Sequence, residues 1–415
     1  MAAFGDELRG AALAVGSEAL GQQPKLCPRC LGRLFAKVGK GVSNSERGAA
    51  VADVLEYIPT APADCAICKG VFDSLDRFRD RVIREMEPWE HSSFLIGSRF
   101  DPAVVEAEEG LWAAMRTDKH EPIKMEFNRE LGKAVALATG KEPNFEHPDI
   151  TALLDTTYET VDLQIAAVFI RGNYRKLVRG IPQTRWPCKA CMGKGCQRCG
   201  GTGKMYQTSV EEIIAARLMP QANASAHFFH GMGREDIDAR MLGDGRPFIL
   251  ELRDPRRRTL DLQKAEAEIN GSGEGVEVSG LRLVVSTEVA EIKNERTDKV
   301  YRVFVKFDAD VAEEKLNEVV SALRGSRIVQ QTPTRVVHRR ADMARHRVVR
   351  DMRVESRDGR GAVLLVTAET GTYIKELVTG DGGRTQPNLS ELLNVRCAVE
   401  ALDVIAIGVE KGCEQ

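Results

Sequence analysis

The sequence predicts an α+β protein of two or three domains, its catalytic region built on a mixed or antiparallel sheet. Three observations carry that reading: a length of 415 residues, period-two apolar segments joined by helical ones in the second half, and cysteines gathered in pairs. A chain this long outgrows a single core and divides. Apolar residues make up 43% and charged residues 29%, which sets aside the disordered, collagenous and membrane classes. The apolar runs 165–170 and 363–368 are strand-sized and far below a bilayer span. The opening MAAFGDELRG carries acids and lacks a basic-then-apolar leader. The expectation is a cytoplasmic protein with no membrane association, working as a monomer.

Eight of the ten cysteines form four C-x-x-C pairs. Cys27, Cys30, Cys65 and Cys68 define a zinc-binding module over residues 1–72, with helical stretches expected at 32–40 and 49–57. Cys188, Cys191, Cys196 and Cys199 lie within CKACMGKGCQRCGGTGK, whose glycines permit tight turns that aim amides at sulfur. Four thiolates complete a tetrahedral Zn²⁺ with no open position, so two structural zinc ions are expected. A redox dithiol would instead need a single C-x-x-C opening a helix after a strand.

Residues 73–185 read as an α/β domain. It holds a helix at 76–86, a strand at 162–170, a turn at Gly172-Asn173 and a returning strand at 174–178. Residues 186–415 form the catalytic region, with the second knuckle at 188–199. Ser209 and Glu212 make a capping box for a helix running through Met219. Segments 281–289 and 301–307 read as strands, the latter with Tyr301, Val303, Val305 and Phe307 on one face. Asp310 is expected to cap a helix whose Leu316, Val319, Val320 and Leu323 form an apolar stripe, ended by Gly325. Segments 350–357 and 361–368 form a hairpin around Asp358-Gly359.

The net charge of −2 hides two basic clusters. One is Arg256-Arg257-Arg258. The other holds Arg335, His338, Arg339, Arg340, Arg345, His346, Arg347 and Arg350. Arginine clusters suit bidentate phosphate contacts, so nucleic acid is favoured over a merely solvated face. No phosphate loop, dinucleotide fingerprint, H-E-x-x-H or deaminase pattern is present.

The most unusual stretch is 233–243, where three acids and two arginines sit among glycines. A loop bracketed by Gly233 and Gly243 can hold a carboxylate rigidly while arginines keep it ionised; the bland alternative is a solvated loop with chance ion pairs. Downstream, Gly371-Thr372-Tyr373-Ile374-Lys375-Glu376-Leu377 comes directly after a predicted strand, and the alternative there is a strand-to-helix turn with a surface lysine.

Together these stretches resemble the pseudouridine synthase superfamily, most closely the archaeal-type Pus-ten (PsuX) family. Gly233-Arg234-Glu235-Asp236 resembles its catalytic loop, with the aspartate last. Lys299-Val300-Tyr301-Arg302 resembles the strand motif that presents a tyrosine to the target base. Gly371-Thr372-Tyr373-Ile374-Lys375 resembles the third motif, whose basic residue pairs with the aspartate. Segments 380–388 and 392–393 are similar to the closing segment. Residues 73–185 resemble a THUMP domain through Asn128-Arg129-Glu130-Leu131-Gly132-Lys133, Pro148-Asp149-Ile150 and residues 172–180. One departure is Lys375, since related T-loop enzymes often carry arginine there.

The resemblance implies a tRNA pseudouridine synthase acting on T-arm uridine 55, or also 54, without an organic cofactor. It implies Asp236 as nucleophile at C1′ or base at C2′, Lys375 as its ion-pair partner, and Tyr301 stacked on uracil. Arg234, Arg240, Tyr373, Arg339, Arg340 and Arg384 are the expected substrate-binding residues. Two other classes stand beside it. Another THUMP-containing tRNA enzyme would need the phosphate loop or Rossmann glycines that are missing. A non-catalytic zinc-knuckle RNA-binding protein would have no use for Asp236 with Lys375.

Overall fold

The computed structural model describes residues 2–39, 41–339 and 341–408, with the side chains of residues 2–4 and of Arg339 left aside. It divides into two units: Met1–Ala167 with Asp254–Arg258, and Val168–Arg253 with Thr259–Gln415.

The first unit contains strands β1 (Ser93–Arg99), β2 (Glu142–Pro143), β3 (Ile150–Asp155) and β4 (Val161–Ile165). They form one sheet in the order β2-β1-β3-β4. β1 lies parallel to β2 and β3, while β4 returns antiparallel to β3. Parallel neighbours require a crossover, and the helices Pro102–Met115 and Ile123–Thr139 supply it. The expected helix at 76–86 is present as Leu75–Met86, burying Phe78, Val82 and Met86 at four-residue spacing. The cysteine region 1–72 is not walled off from the remainder of this unit. One apolar cluster runs from Leu8 and Leu31 through Phe78 to Phe127 and Leu154. Arg33, on the helix Pro28–Arg33, lies 2.9 Å from Glu108 and 3.5 Å from Glu126, all three buried.

The second unit contains β5 (Val168–Lys176), β6 (Ala226–Gly231), β7 (Ala239–Arg253), β8 (Val276–Val284), β9 (Lys299–Phe307), β10 (Arg327–Gln330), β11 (Arg345–Asp358), β12 (Gly361–Ala368), β13 (Thr385–Gln386) and β14 (Cys397–Ile407). The sheet order is β13-β10-β11-β12-β9-β14-β7-β5-β8, with β6 also beside β7. β14 and β7 are parallel and the other pairs antiparallel, so the sheet is mixed. β9 buries Lys299, Tyr301, Val303, Val305 and Phe307 on one face. That is the alternation read from the sequence, extended by one pair to the lysine. The hairpin around Asp358-Gly359 joins β11 to β12. The helix Val210–Ala222 begins where Ser209 Oγ accepts the Glu212 amide.

Several local expectations change. The apolar run 165–170 is not within one strand: β4 ends at Ile165, and β5 starts at Val168 in the other unit's sheet. The division thus falls at 167/168, ahead of the 185 read from sequence. Gly172-Asn173 does not turn the chain, because β5 runs straight through it. Gly172 instead marks an irregularity in the pairing with β8, where an added Cβ would sit 2.6 Å from Leu281 Cδ2. The strand expected at 281–289 is Val276–Val284, and residues 288–294 are helical. Ala312, not Asp310, precedes the helix Glu313–Leu323, while Asp310 pairs with Arg360 at 3.0 Å. Among the described residues no helix is long and apolar enough to cross a membrane.

Candidate active site

The loop between β6 and β7 carries Gly233-Arg234-Glu235-Asp236, and its shape is fixed from beneath. Glu235 is buried and accepts hydrogen bonds from Tyr174 (2.7 Å) and Arg246 Nε (2.9 Å), with Lys176 Nζ at 3.5 Å. Burial disfavours the Glu235 carboxylate, but Arg246 and Lys176 override it and hold its pKa below the usual range. Lys176 Nζ also donates to the carbonyls of Ile181, Asp236 and Ile237. Arg246 donates to Met232 O, and Gln183 to Gly233 O. Buried cations thus replace the ladder that a strand would have given this backbone. Breaking one such buried pair costs about 3–5 kcal/mol.

Held this way, Asp236 faces a cavity of about 920 Å³. Arg335 Nη1 lies 3.1 Å from both of its carboxylate oxygens, and Lys375 Nζ lies 3.6 Å from Oδ2. Lys375 is closer to Asp238, at 2.6 and 2.8 Å. Burial opposes charge on Asp238, and Lys375 outweighs it, lowering the Asp238 pKa. Arg335 is aimed by Glu376, which accepts from its Nε at 2.7 Å and is buried. Burial works against the Arg335 charge, yet Glu376 and Asp236 more than offset it and raise its pKa. Tyr301 forms part of the cavity floor, 8% exposed, and burial pushes its hydroxyl up to about 12. Beside it Lys299 is also 8% exposed; burial, then Arg246 and Arg296, bring it down to about 8.

The three residues expected at the centre, Asp236, Tyr301 and Lys375, therefore line one cavity, joined by Arg234 and Tyr373. Arg234 also reaches over the Trp186 ring, 5.6 Å from its centroid. The pairing within the cavity differs from that expected: the tighter partner of Asp236 is Arg335, and Lys375 bridges Asp236 and Asp238. Arg240 lies outside the lining, held bidentately by the buried Asp403 at 3.0 and 2.6 Å. Arg384 donates to Thr332 O and pairs with Asp342. Arg340 lies outside the described residues, as does the Arg339 side chain.

The two basic runs do not act as blocks. Arg258 donates to Asp149 O at 3.0 Å, and Arg256 sits 3.6 Å over Trp89, so two of the three arginines serve the first unit's own packing. In the second run Arg345 donates to Thr332 and Arg350 pairs with Asp298 and Glu369. Arg347 lines the cavity, and its Nε has no hydrogen-bond partner among the described residues. The sequence alone places Arg335 among phosphate-facing groups. The one signal that could have moved it was the lysine at 375, which left a guanidinium partner for the aspartate to be sought elsewhere.

Each cysteine quartet can hold a metal ion. In both, all four Sγ atoms lie within 4.8 Å of one another. Sulfur separations are 3.6 Å for Cys27–Cys68, 3.9 Å for Cys188–Cys196 and Cys191–Cys199, and 3.7 Å for Cys196–Cys199. Tetrahedral bonds of about 2.3 Å to thiolate require separations near 3.8 Å. The amides of Gly195 and Gly203 point at Cys191 and Cys199 sulfur, both at 3.2 Å. Side chains there would strike carbonyls at 2.6 and 2.2 Å, so the knuckle needs glycine.

Fold and cleft together define an α+β enzyme whose cavity sets Asp236 against Arg335 and Lys375, with the buried Tyr301 in its lining. Residues 169–408 match the family described as Pus10, C-terminal, and residues 78–155 match the Pus10 THUMP domain, archaeal. A tRNA pseudouridine synthase Pus10 from Methanothrix thermoacetophila is 42% identical over 92% of this chain and 92% of its own. One from Halorubrum lacusprofundi is also 42% identical, over 95% and 96%. The chain belongs to the Pus10 family of pseudouridine synthases, which are isomerases.

Proposed function

We propose that this protein converts uridine 55 of the tRNA T-loop, either alone or together with uridine 54, to pseudouridine with Asp236 as the reacting carboxylate. The observation that carries the reading is Asp236 itself, fixed by Arg335 at 3.1 Å beside Tyr301 in a cavity roomy enough to admit a nucleotide. The reaction breaks the N1–C1′ bond, rotates the uracil and rejoins it through C5, so it needs no redox partner or group donor. Asp236 acts at the sugar, at C1′ as nucleophile or at C2′ as base. Arg335 and Lys375 hold its carboxylate in place by charge pairing, and Tyr301 stacks on the base. The target must leave its stack first, at a cost of a few kcal/mol. Arg234, Arg347 and Tyr373 line the cavity where the extruded nucleotide and its phosphates enter.

The two cysteine quartets hold zinc in a structural role, since four thiolates leave no coordination position for substrate. The described cysteines, Cys397 included, form no disulfide, which suits a reducing cytoplasm. The test is to incubate purified protein with an unmodified tRNA transcript and map pseudouridine by nucleotide position. Product at 55, with or without 54, supports the reading; product elsewhere, or none, overturns it.

A further inference from the structure

Lys299 is the least explained charge in the second unit. It opens β9 and shares a face with Tyr301, two residues on. It lines the cavity and donates to Thr370 Oγ1 at 3.1 Å. An added Cβ at Gly233 would sit 3.4 Å from its Nζ, so it lies against the first residue of the Asp236 loop. Among the described residues no carboxylate lies within 4.0 Å of the ammonium. Arg246 from β7 and Arg296 from the preceding loop repel it, and Glu235 attracts it more weakly. Burying an ammonium without a paired anion destabilises a fold. Such a group in a cleft is explained by an anion that arrives there.

Two anionic partners come with a nucleotide: its phosphates and, during the reaction, its base. The phosphates belong at the rim, where Arg234 and Arg296 are exposed. Lys299 sits at the floor with Tyr301, the depth that an inserted base reaches. When the N1–C1′ bond breaks, its electron pair stays on uracil and spreads over N1, O2 and O4. This charge develops whichever role Asp236 takes. On rejoining, C5 bonds to C1′ as the Asp236–C1′ ester bond breaks, or as Asp236 returns the proton to C2′ if it acted as base; the C5 proton leaves and N1 ends protonated, so atoms and charge balance. We infer that Lys299 is a catalytic residue that donates a hydrogen bond to a uracil carbonyl oxygen and stabilises the detached, anionic base. The inference rests on the uridine-isomerising reading of the cavity.

The experiment uses the full chain and unmodified tRNA transcript, with single-turnover rates and binding isotherms across a salt series. Lys299→Met should lower the rate about 100-fold, the usual loss on removing a donor aimed at developing negative charge. Its tRNA Kd should stay within threefold of wild type, with an unchanged salt slope. Lys299→Arg should recover at least tenfold of the rate. With 5-fluorouridine at the target, read by nucleoside chromatography as loss of the parent nucleoside, the Lys299→Met defect should shrink, because fluorine itself stabilises the anion. Should Lys299→Met fail to bind tRNA, Lys299→Gln carries the same comparison. A rate within twofold of wild type overturns the inference. So does a weakened Kd whose salt slope falls by about 0.7–0.9, which would mark a phosphate contact. Equal loss in Thr370→Val would make Lys299 a mere anchor for that loop. Failure of wild-type protein to form any pseudouridine would instead overturn the underlying reading.

Discussion

Replacing Arg335 by glutamine removes the guanidinium 3.1 Å from both oxygens of Asp236 while leaving a neutral donor. A hydrogen bond to a charged group contributes about 1.5–3 kcal/mol. The two side chains are 37% and 32% exposed, so solvent screens the pair and the lower part of that range applies. A loss of about 1.5–2 kcal/mol corresponds to a rate roughly ten- to thirtyfold lower. The Glu376 carboxylate, with its side chain 6% exposed, loses its partner too and lowers the Tm. Adding Glu376→Gln should restore stability without restoring rate, which separates the two roles of the arginine. Lys375→Ala should slow the reaction less, about fivefold or under, because Lys375 sits 3.6 Å from Asp236 and 2.6 Å from Asp238. Single-turnover rates with saturating enzyme, paired with thermal melts, give both readouts. If Arg335→Gln stays within twofold of wild type, or if Lys375→Ala is the slower variant, the assignment of Arg335 as principal partner is refuted.

Elemental analysis should return two zinc ions per chain, and a tight chelator should lower the Tm by on the order of 10 °C; metal-free protein of unchanged Tm would refute a structural role. Lys299→Met should be more stable than wild type at pH 7 by a few kcal/mol, measured by denaturant unfolding. The sign comes from a folded-state pKa of about 8 against 10.5. Below pH 8 the lysine is charged in both states and the burial penalty is complete. Between 8 and 10.5 the folded state gives up its proton first and stability rises, so the gap between variant and wild type should close. Substituting Arg296 and Arg347 by alanine should weaken tRNA binding and reduce the salt slope by about 0.7–0.9 for each phosphate partner removed; an unchanged slope would place both away from the backbone.

Much of the fold was legible because its signals are local. The alternation over 301–307 gave β9, Asp358-Gly359 gave the hairpin, and Ser209 with Glu212 gave a helix start. What failed was phase and pairing. The apolar run 165–170 hides a switch between two sheets, since no glycine or proline interrupts it. Gly172-Asn173 has turn chemistry, yet β8 and β7 pair on either side of β5 and keep it extended. In the site, Asp236, Tyr301 and Lys375 were marked by their motifs. Arg335 was not, because it meets Asp236 across 99 residues of chain and sits in a run that looks like a phosphate patch. The buried roles of Lys176, Arg246 and Lys299 were hidden for a related reason, although Lys299 stands within the Tyr301 motif. Burial gives a charged residue its role here, and burial of a lysine or arginine leaves no trace in composition.

The loop presents two aspartates to the same lysine, and separating them tests the account most directly. The measurement is the single-turnover rate of Asp236→Asn and of Asp238→Asn on unmodified tRNA, each with its tRNA Kd. Asp236→Asn should bind tRNA like wild type and form no detectable pseudouridine. Asp238→Asn should retain activity within about tenfold, since its carboxylate is 67% exposed and acts only through Lys375. An active Asp236→Asn beside an inert Asp238→Asn would contradict the account, because the reacting carboxylate would then be the one that Lys375 holds at 2.6 Å.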